Sequence, residues 1–208
     1  MMNGVVKTVP RSEVETPISN DDRSSFIVHH SSLRILGIDP GLNLTGYAVL
    51  EVHPGGPKVI EAGVVRGKTK DSLAARLGEV HDGVADVIAA LRPNAMALEQ
   101  LYSHYDHPRT SILMGHARGV ICLAAVKAGI DVTNYSATQI KKVLTGNGRA
   151  PKSQMQAAIQ RELLLARLPE PADVADALAI ALCHYYLGVK RQEIAARSEN
   201  VPGKGIRG

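Results

Sequence analysis

The stretch Leu36-Gly37-Ile38-Asp39-Pro40-Gly41-Leu42-Asn43-Leu44-Thr45-Gly46 constrains the fold more than any other part of the chain. An apolar run rich in branched residues ends in one carboxylate, a Pro-Gly pair turns the chain, and a second apolar run follows from Tyr47 to Leu50. The pattern predicts strand, turn and strand, with Asp39 in or beside a sheet interior. A charge in that position is costly unless it is paired, protonated or bound to a metal. Taken alone, Asp-Pro-Gly also reads as a turn aspartate accepting hydrogen bonds from nearby amides. What decides between the two is whether other acids reach the same place.

The rest of the chain supplies the frame. The turn Pro54-Gly55-Gly56-Pro57 precedes a third strand over Lys58 to Val65. Leu73, Leu77, Val80, Val84, Val87, Ile88 and Leu91 recur at three and four, an amphipathic helix from Ser72 to Leu91 closed by Pro93. The apolar strand Ala95-Met96-Ala97-Leu98 then ends in Glu99, repeating the opening pattern of a strand with one acid at its carboxyl end. A helix is expected from about Thr110 to Ala128 and a strand over Asp131 to Tyr135, and Ser136-Ala137-Thr138-Gln139 has capping-box form. Pro151 and Pro171 suit the first turns of helices Lys152 to Ala166 and Ala172 to Leu187, with Gly188 as the stop. Three strands in hairpin order, then strand and helix alternating, predict an α/β fold: a mixed five-stranded sheet with helices on both faces. In such sheets, sites collect at the carboxyl ends of strands.

A chain of 208 residues, 45% hydrophobic, suits one domain over residues 34–189. Residues 1–33 read as a flexible extension and 190–208 as a flexible basic tail. The net charge of +4 is compatible with a polyanionic partner. Cys122 and Cys183 lie far apart in apolar segments and read as buried free thiols of a reducing compartment. The longest uncharged stretch, Ala177 to Val189, falls short of the roughly 18 residues of a membrane span, so a soluble cytoplasmic protein is expected.

Asp173 and Asp176 stand three apart in the first turn of the last helix and project from one face. Acids there complement the helix dipole, which is a sufficient role for either alone. The helix that follows, Ala177 to Cys183, is apolar all round, so its start should lie against the sheet. Asp39, Glu99, Asp173 and Asp176 could then meet at one edge of the core. Carboxylates so close cannot all stay ionised without a counter-charge. Oxygen donors with no His or Cys among them favour a hard cation, Mg2+ or in its place Mn2+. Two such ions about 4 Å apart would activate water and stabilise a leaving oxygen at a phosphodiester.

Several motifs together carry a resemblance: Gly37-Ile38-Asp39-Pro40-Gly41 with Thr45-Gly46, Ala97-Leu98-Glu99-Gln100, Gly115-His116-Ala117-Arg118-Gly119, Lys152-Ser153-Gln154, and Ala172-Asp173-Val174-Ala175-Asp176-Ala177-Leu178-Ala179. In this order and spacing they closely resemble the RuvC family of bacterial Holliday-junction resolvases, within the RNase H-like superfamily. The resemblance implies a homodimeric endonuclease that nicks two strands of a four-way DNA junction symmetrically, working with the RuvA and RuvB branch-migration proteins. It implies that Asp39, Glu99, Asp173 and Asp176 are the metal-binding catalytic acids. It also implies that Lys141 and Lys152 contact DNA or support catalysis, and that Gly115 and Gly119 lie in the dimer interface.

Other residues admit two readings. Lys141, Lys142, Arg149 and Lys152 fall within twelve positions that hold no acid; such a run is either a solvated face or a phosphate contact. The lysine after Gly146-Asn147-Gly148 follows Pro151, and a helix precedes the turn, which excludes a P-loop. Tyr102 is either a half-buried strand-end ring or a platform for an unpaired base, and it stands where the family often has Phe. His104, Asp106 and His107 read as part of a DNA-facing loop and not as a transition-metal site. Three rival functions remain: an actin-like ATPase, for which the chain is short and lacks a second glycine-rich acidic hairpin; a non-catalytic junction-binding protein; and another RNase H-like nuclease.

Overall fold

The computed structural model describes residues 5–9, 33–68, 70–101, 108–168 and 170–190. The expected mixed five-stranded sheet is present as β2 (Arg34–Asp39), β3 (Leu44–His53), β4 (Gly56–Arg66), β5 (Ala95–Glu99) and β6 (Asp131–Tyr135). A further strand, β1 (Val5–Val9), lies on its edge, giving the order β1-β4-β3-β2-β5-β6. Part of the segment 1–33 therefore joins the fold, a correction to its reading as a flexible extension. Val5-Val6-Lys7-Thr8-Val9 is almost wholly β-branched and pairs antiparallel with the free edge of β4. The tail call, beyond Lys190, lies outside the described residues.

β2, β3 and β4 are antiparallel neighbours, whereas β5 runs parallel to β2, and β6 to β5. The parallel steps require crossovers, supplied by α1 (Leu73–Leu91) and α2 (Pro108–Lys127). Ser72 caps α1 by accepting a hydrogen bond from the Ala75 amide, and Arg92 in the left-handed region ends it just before Pro93. Ser136 caps α3 (Ala137–Thr145) in the same way, through the Gln139 amide. α4 (Lys152–Leu163) stops three residues earlier than its apolar pattern suggested, where Leu164 turns left-handed. α5 (Ala172–His184) passes into a π-helical turn, Tyr185–Lys190, so the chain runs past Gly188 without stopping.

The two sheet faces are covered separately. Leu36, Ile38, Tyr47, Val49, Met96 and Leu98 pack under α1 and α2, against Val80, Val84, Ile88 and Ile121. The alternate residues Ile35, Ala48, Leu50 and Ala97 pack under α5, against Ala177, Leu178, Ala181 and Leu182. Ala172–Val189 is apolar enough by length and composition to span a membrane once its two acids are counted in, but it is largely buried as the central core helix. Its far end is pinned to β6 where the Tyr135 hydroxyl meets His184 Nδ1 at 3.0 Å. Cys183 is buried as expected; Cys122 is only half-buried, a correction that follows from the outward turn of α2.

Candidate active site

The period-two alternation of the strands chooses the face on which the acids stand. Ile35 and Gly37 point toward α5, so Asp39, two residues further on, does too; Ala97 fixes the same face for Glu99. Since β2 and β5 are parallel neighbours paired through Ile38 and Leu98, the two acids emerge side by side at adjacent carboxyl ends. The turn beyond Asp39 is held from within. Thr45, fully buried, donates its hydroxyl to the Gly41 carbonyl at 2.6 Å and accepts from the Gly41 amide at 3.3 Å.

The second pair of acids arrives because α5 lies directly on the sheet backbone. A Cβ built on Gly37 would come within 2.4 Å of the Ala177 carbonyl oxygen, and one on Gly46 within 2.1 Å of the Asp173 carbonyl oxygen. Gly46 is also the cross-strand partner of Asp39. Side-chain-free positions on β2 and β3 therefore let the first turn of α5 pass over the strand that carries Asp39.

Asp39 feels the other three carboxylates. Burial first, then the charges of Glu99, Asp176 and Asp173, push the Asp39 carboxyl up to about 8, against a smaller downward pull from Lys152. Glu99 is also raised, by burial and by Asp176, with Lys141 opposing. Asp176, whose residue is the most exposed of the four, is raised by partial burial and by Asp173, with Lys152 and Lys141 opposing. Among the described residues, no three Asp, Glu, His or Cys side chains form a ready-made metal cage. The all-oxygen donor set of the four acids, half-buried and short of positive charge, fits a hard divalent cation.

A cleft of about 290 Å³ opens beside them, lined by Glu99 and Asp176, by Lys141 and Lys152, and by apolar residues that include Ile140 and Met155. The structure therefore brings Lys141 and Lys152 to the acids. Lys142 and Arg149 are exposed and do not line the cleft. Gly115 and Gly119 are exposed on α2, and a Cβ on either would meet nothing within 4 Å, so neither serves helix packing inside the chain. They share an outward stripe with Ile112, Leu123 and Val126, which are 61%, 47% and 69% exposed. Tyr102, His104, Asp106 and His107 lie outside the described residues.

Two residues of this region escaped the reading of the sequence. Arg118 of α2 donates to the Glu99 carbonyl oxygen and to Asn134 Oδ1 at the end of β6. The signal for Arg118 is a cation in the middle of α2 with small residues on either side, Ala117 and Gly119, although nothing in the sequence names its acceptor.

A family profile described as "Crossover junction endodeoxyribonuclease RuvC" matches residues 35–184. A protein from Rhodopirellula baltica carrying the same description is 60% identical over 155 residues, which cover 74% of this chain and 86% of the relative. Among solved structures, Thermus thermophilus RuvC superposes with a TM-score of 0.71 at 31% identity, covering 77% of this chain and 97% of the other. The structure described as T. thermophilus RuvC in complex with Holliday junction substrate gives 0.70 at 32%, covering 74% and 93%.

Proposed function

The chain belongs to the RuvC family of crossover junction endodeoxyribonucleases, and from that premise we propose that it resolves four-way DNA junctions by divalent-metal-dependent hydrolysis of phosphodiester bonds at the four acids. The observation that carries this reading is the pressure that Glu99, Asp173 and Asp176 together exert on Asp39, where two parallel strands end under α5. Bare carboxylates repel phosphate, so a cluster of them beside a cleft is a liability unless a cation is held there.

Asp39, Glu99, Asp173 and Asp176 would hold Mg2+, or Mn2+ in its place, probing the same oxygen-only donor set with two ions per site. When bound, such ions lower the pKa of a water for attack and stabilise the departing oxygen. The chain's own residues do the rest. Lys141 and Lys152, which line the cleft with Glu99 and Asp176, neutralise the scissile strand and balance the acids' charge. Lys142 and Arg149, exposed on the adjoining surface, extend the track for the phosphate backbone, and Tyr102 is assigned to stacking on an unpaired base.

A two-fold junction is matched by a two-fold enzyme, one site to each of two equivalent strands. The proposed subunit contact is the stripe of Ile112, Gly115, Gly119, Leu123 and Val126, where small residues let a second copy's helix approach closely. The family's RuvA and RuvB branch-migration proteins are the proposed partners, and the cytoplasm the proposed place of action.

The test compares a labelled four-way junction with linear duplex of the same sequence, each with and without Mg2+. Paired nicks confined to the junction and dependent on Mg2+ are expected. Equal cutting of the duplex would point to a general nuclease, and junction binding without nicks at any metal concentration would contradict the proposal.

A further inference from the structure

Glu99 stands in an exposed structural position for a residue asked to hold a metal. It is the last residue of β5. The register with β2 ends at Ile38 and Leu98, one residue short of it, so Glu99 has no paired residue on β2. On the other side β6 continues one pair further, Glu99 opposite Tyr135, and the Gln100 amide donates to the Tyr135 carbonyl at 2.8 Å. Glu99 is thus paired in the sheet on one side only.

A further hold comes from α2. The half-buried Arg118 guanidinium donates through one nitrogen to the carbonyl oxygen of Glu99 and through another to Asn134 Oδ1. One planar fork therefore ties together the carboxyl ends of β5 and β6, and it does so at the peptide group of the acid itself. What it holds is the peptide group of the acid, since its hydrogen bond goes to the Glu99 carbonyl oxygen. Arg118 touches the backbone of the acid, whereas Lys141 lines the cleft that Glu99 also lines.

We propose that Arg118, braced by Asn134, is a positioning residue that fixes the backbone of Glu99 so that its carboxylate faces the other three acids. This rests on the metal-binding reading given above. Partners that orient a metal ligand are worth about 10- to 100-fold in metal affinity, and a ligand at a strand end paired on one side has most to lose from their removal.

The experiment is calorimetric Mn2+ binding to the full chain, alongside thermal midpoint and junction affinity without divalent metal. Arg118→Met is expected to weaken Mn2+ binding about tenfold while junction affinity stays as in wild type. Arg118→Lys can reach one acceptor but not both and should recover part of the loss. Asn134→Ala leaves the Glu99 contact with a loose brace and should cost about two- to threefold, less than either Arg118 variant costs. A purely structural role would lower the thermal midpoint and leave metal affinity alone. Mn2+ affinity equal to wild type in Arg118→Met overturns the proposal. If that variant does not fold, wild-type affinity in both Arg118→Lys and Asn134→Ala overturns it equally. Asp39→Asn separates the two layers: wild-type Mn2+ affinity there contradicts the metal site itself, whereas weakened binding there with unchanged binding in the Arg118 variants removes only the role of Arg118.

Discussion

The two faces of the sheet are packed by different means. Under α1 and α2 the contacts are between large branched side chains, with Leu36, Ile38 and Val49 meeting Val80, Val84 and Ile88. Under α5 side-chain packing is joined by direct contact with the strand backbone, with Gly37 against Ala177 and Gly46 against Asp173, and at those two positions there is no room for one added methyl group. Side chains can repack when one of them changes; a helix resting on a strand backbone can only move. The acids all belong to the face that cannot give. Placing them there makes their relative positions a property of the main chain, while the opposite face supplies cohesion and the outward stripe of α2.

That contrast yields graded expectations for cleavage of a four-way junction. Asp39→Asn removes a donor from the unyielding face and should reduce nicking by more than about 100-fold, with junction binding in a gel-shift assay largely intact. Gly46→Ala leaves every acid in the chain but forces α5 off β3, and up to about 100-fold loss of rate is expected from a displacement on the scale of 1 Å. Wild-type nicking by that variant would break the comparison. Lys152→Ala, at the cleft wall, should lower turnover about tenfold and reduce the salt dependence of junction binding by about one unit of slope. On the other face, Ile88→Ala should cost about 2–5 kcal/mol in urea unfolding yet leave nicking at low temperature near wild type. A rate loss there as large as that of Gly46→Ala would show that the faces are not distinct.

The smallest effect separates the faces by pH. With metal chelated, the native chain keeps a proton on Asp39 up to about 8, whereas the unfolded chain releases it near the ordinary 3.8. Between those values the native state binds more protons, so stability falls as pH rises through the window and levels off above it. Glu99 and Asp176, also raised, act in the same direction. In Asp39→Asn the decline should be shallower, with the variant's thermal midpoint above wild type at pH 8 and the two converging near pH 4. No such convergence is expected from Ile88→Ala.

Much of this was legible in the sequence because it depends on short-range signals. Apolar runs closed by Asp39 and Glu99 gave the strands and their acids, and Ser72, Ser136, Pro151 and Pro171 mark where helices begin in the structure. What stayed hidden depends on long-range contact. No local pattern announces that Val5–Val9 will find the open edge of β4, since any β-branched run of that length looks alike until an edge is available. Nor could Gly46 be known as the resting place of Asp173, because the 126 positions between them are spanned only by the folded chain. Arg118 was in view within its motif, but the acceptor it uses is a backbone carbonyl, which every residue possesses and no sequence distinguishes. The opposite fate of Lys142 and Arg149 has the same origin: the basic run is plain in sequence, and only the folded path of α3, α4 and the loop between them separates the two lysines that line the cleft from the cations that do not.

Anomalous diffraction from crystals grown with Mn2+ puts the central claim to its most direct test. The account expects manganese peaks bounded by the carboxylates of Asp39, Glu99, Asp173 and Asp176, and their loss in crystals of Asp39→Asn. Manganese bound elsewhere on the chain, with those four side chains left without it, would contradict it.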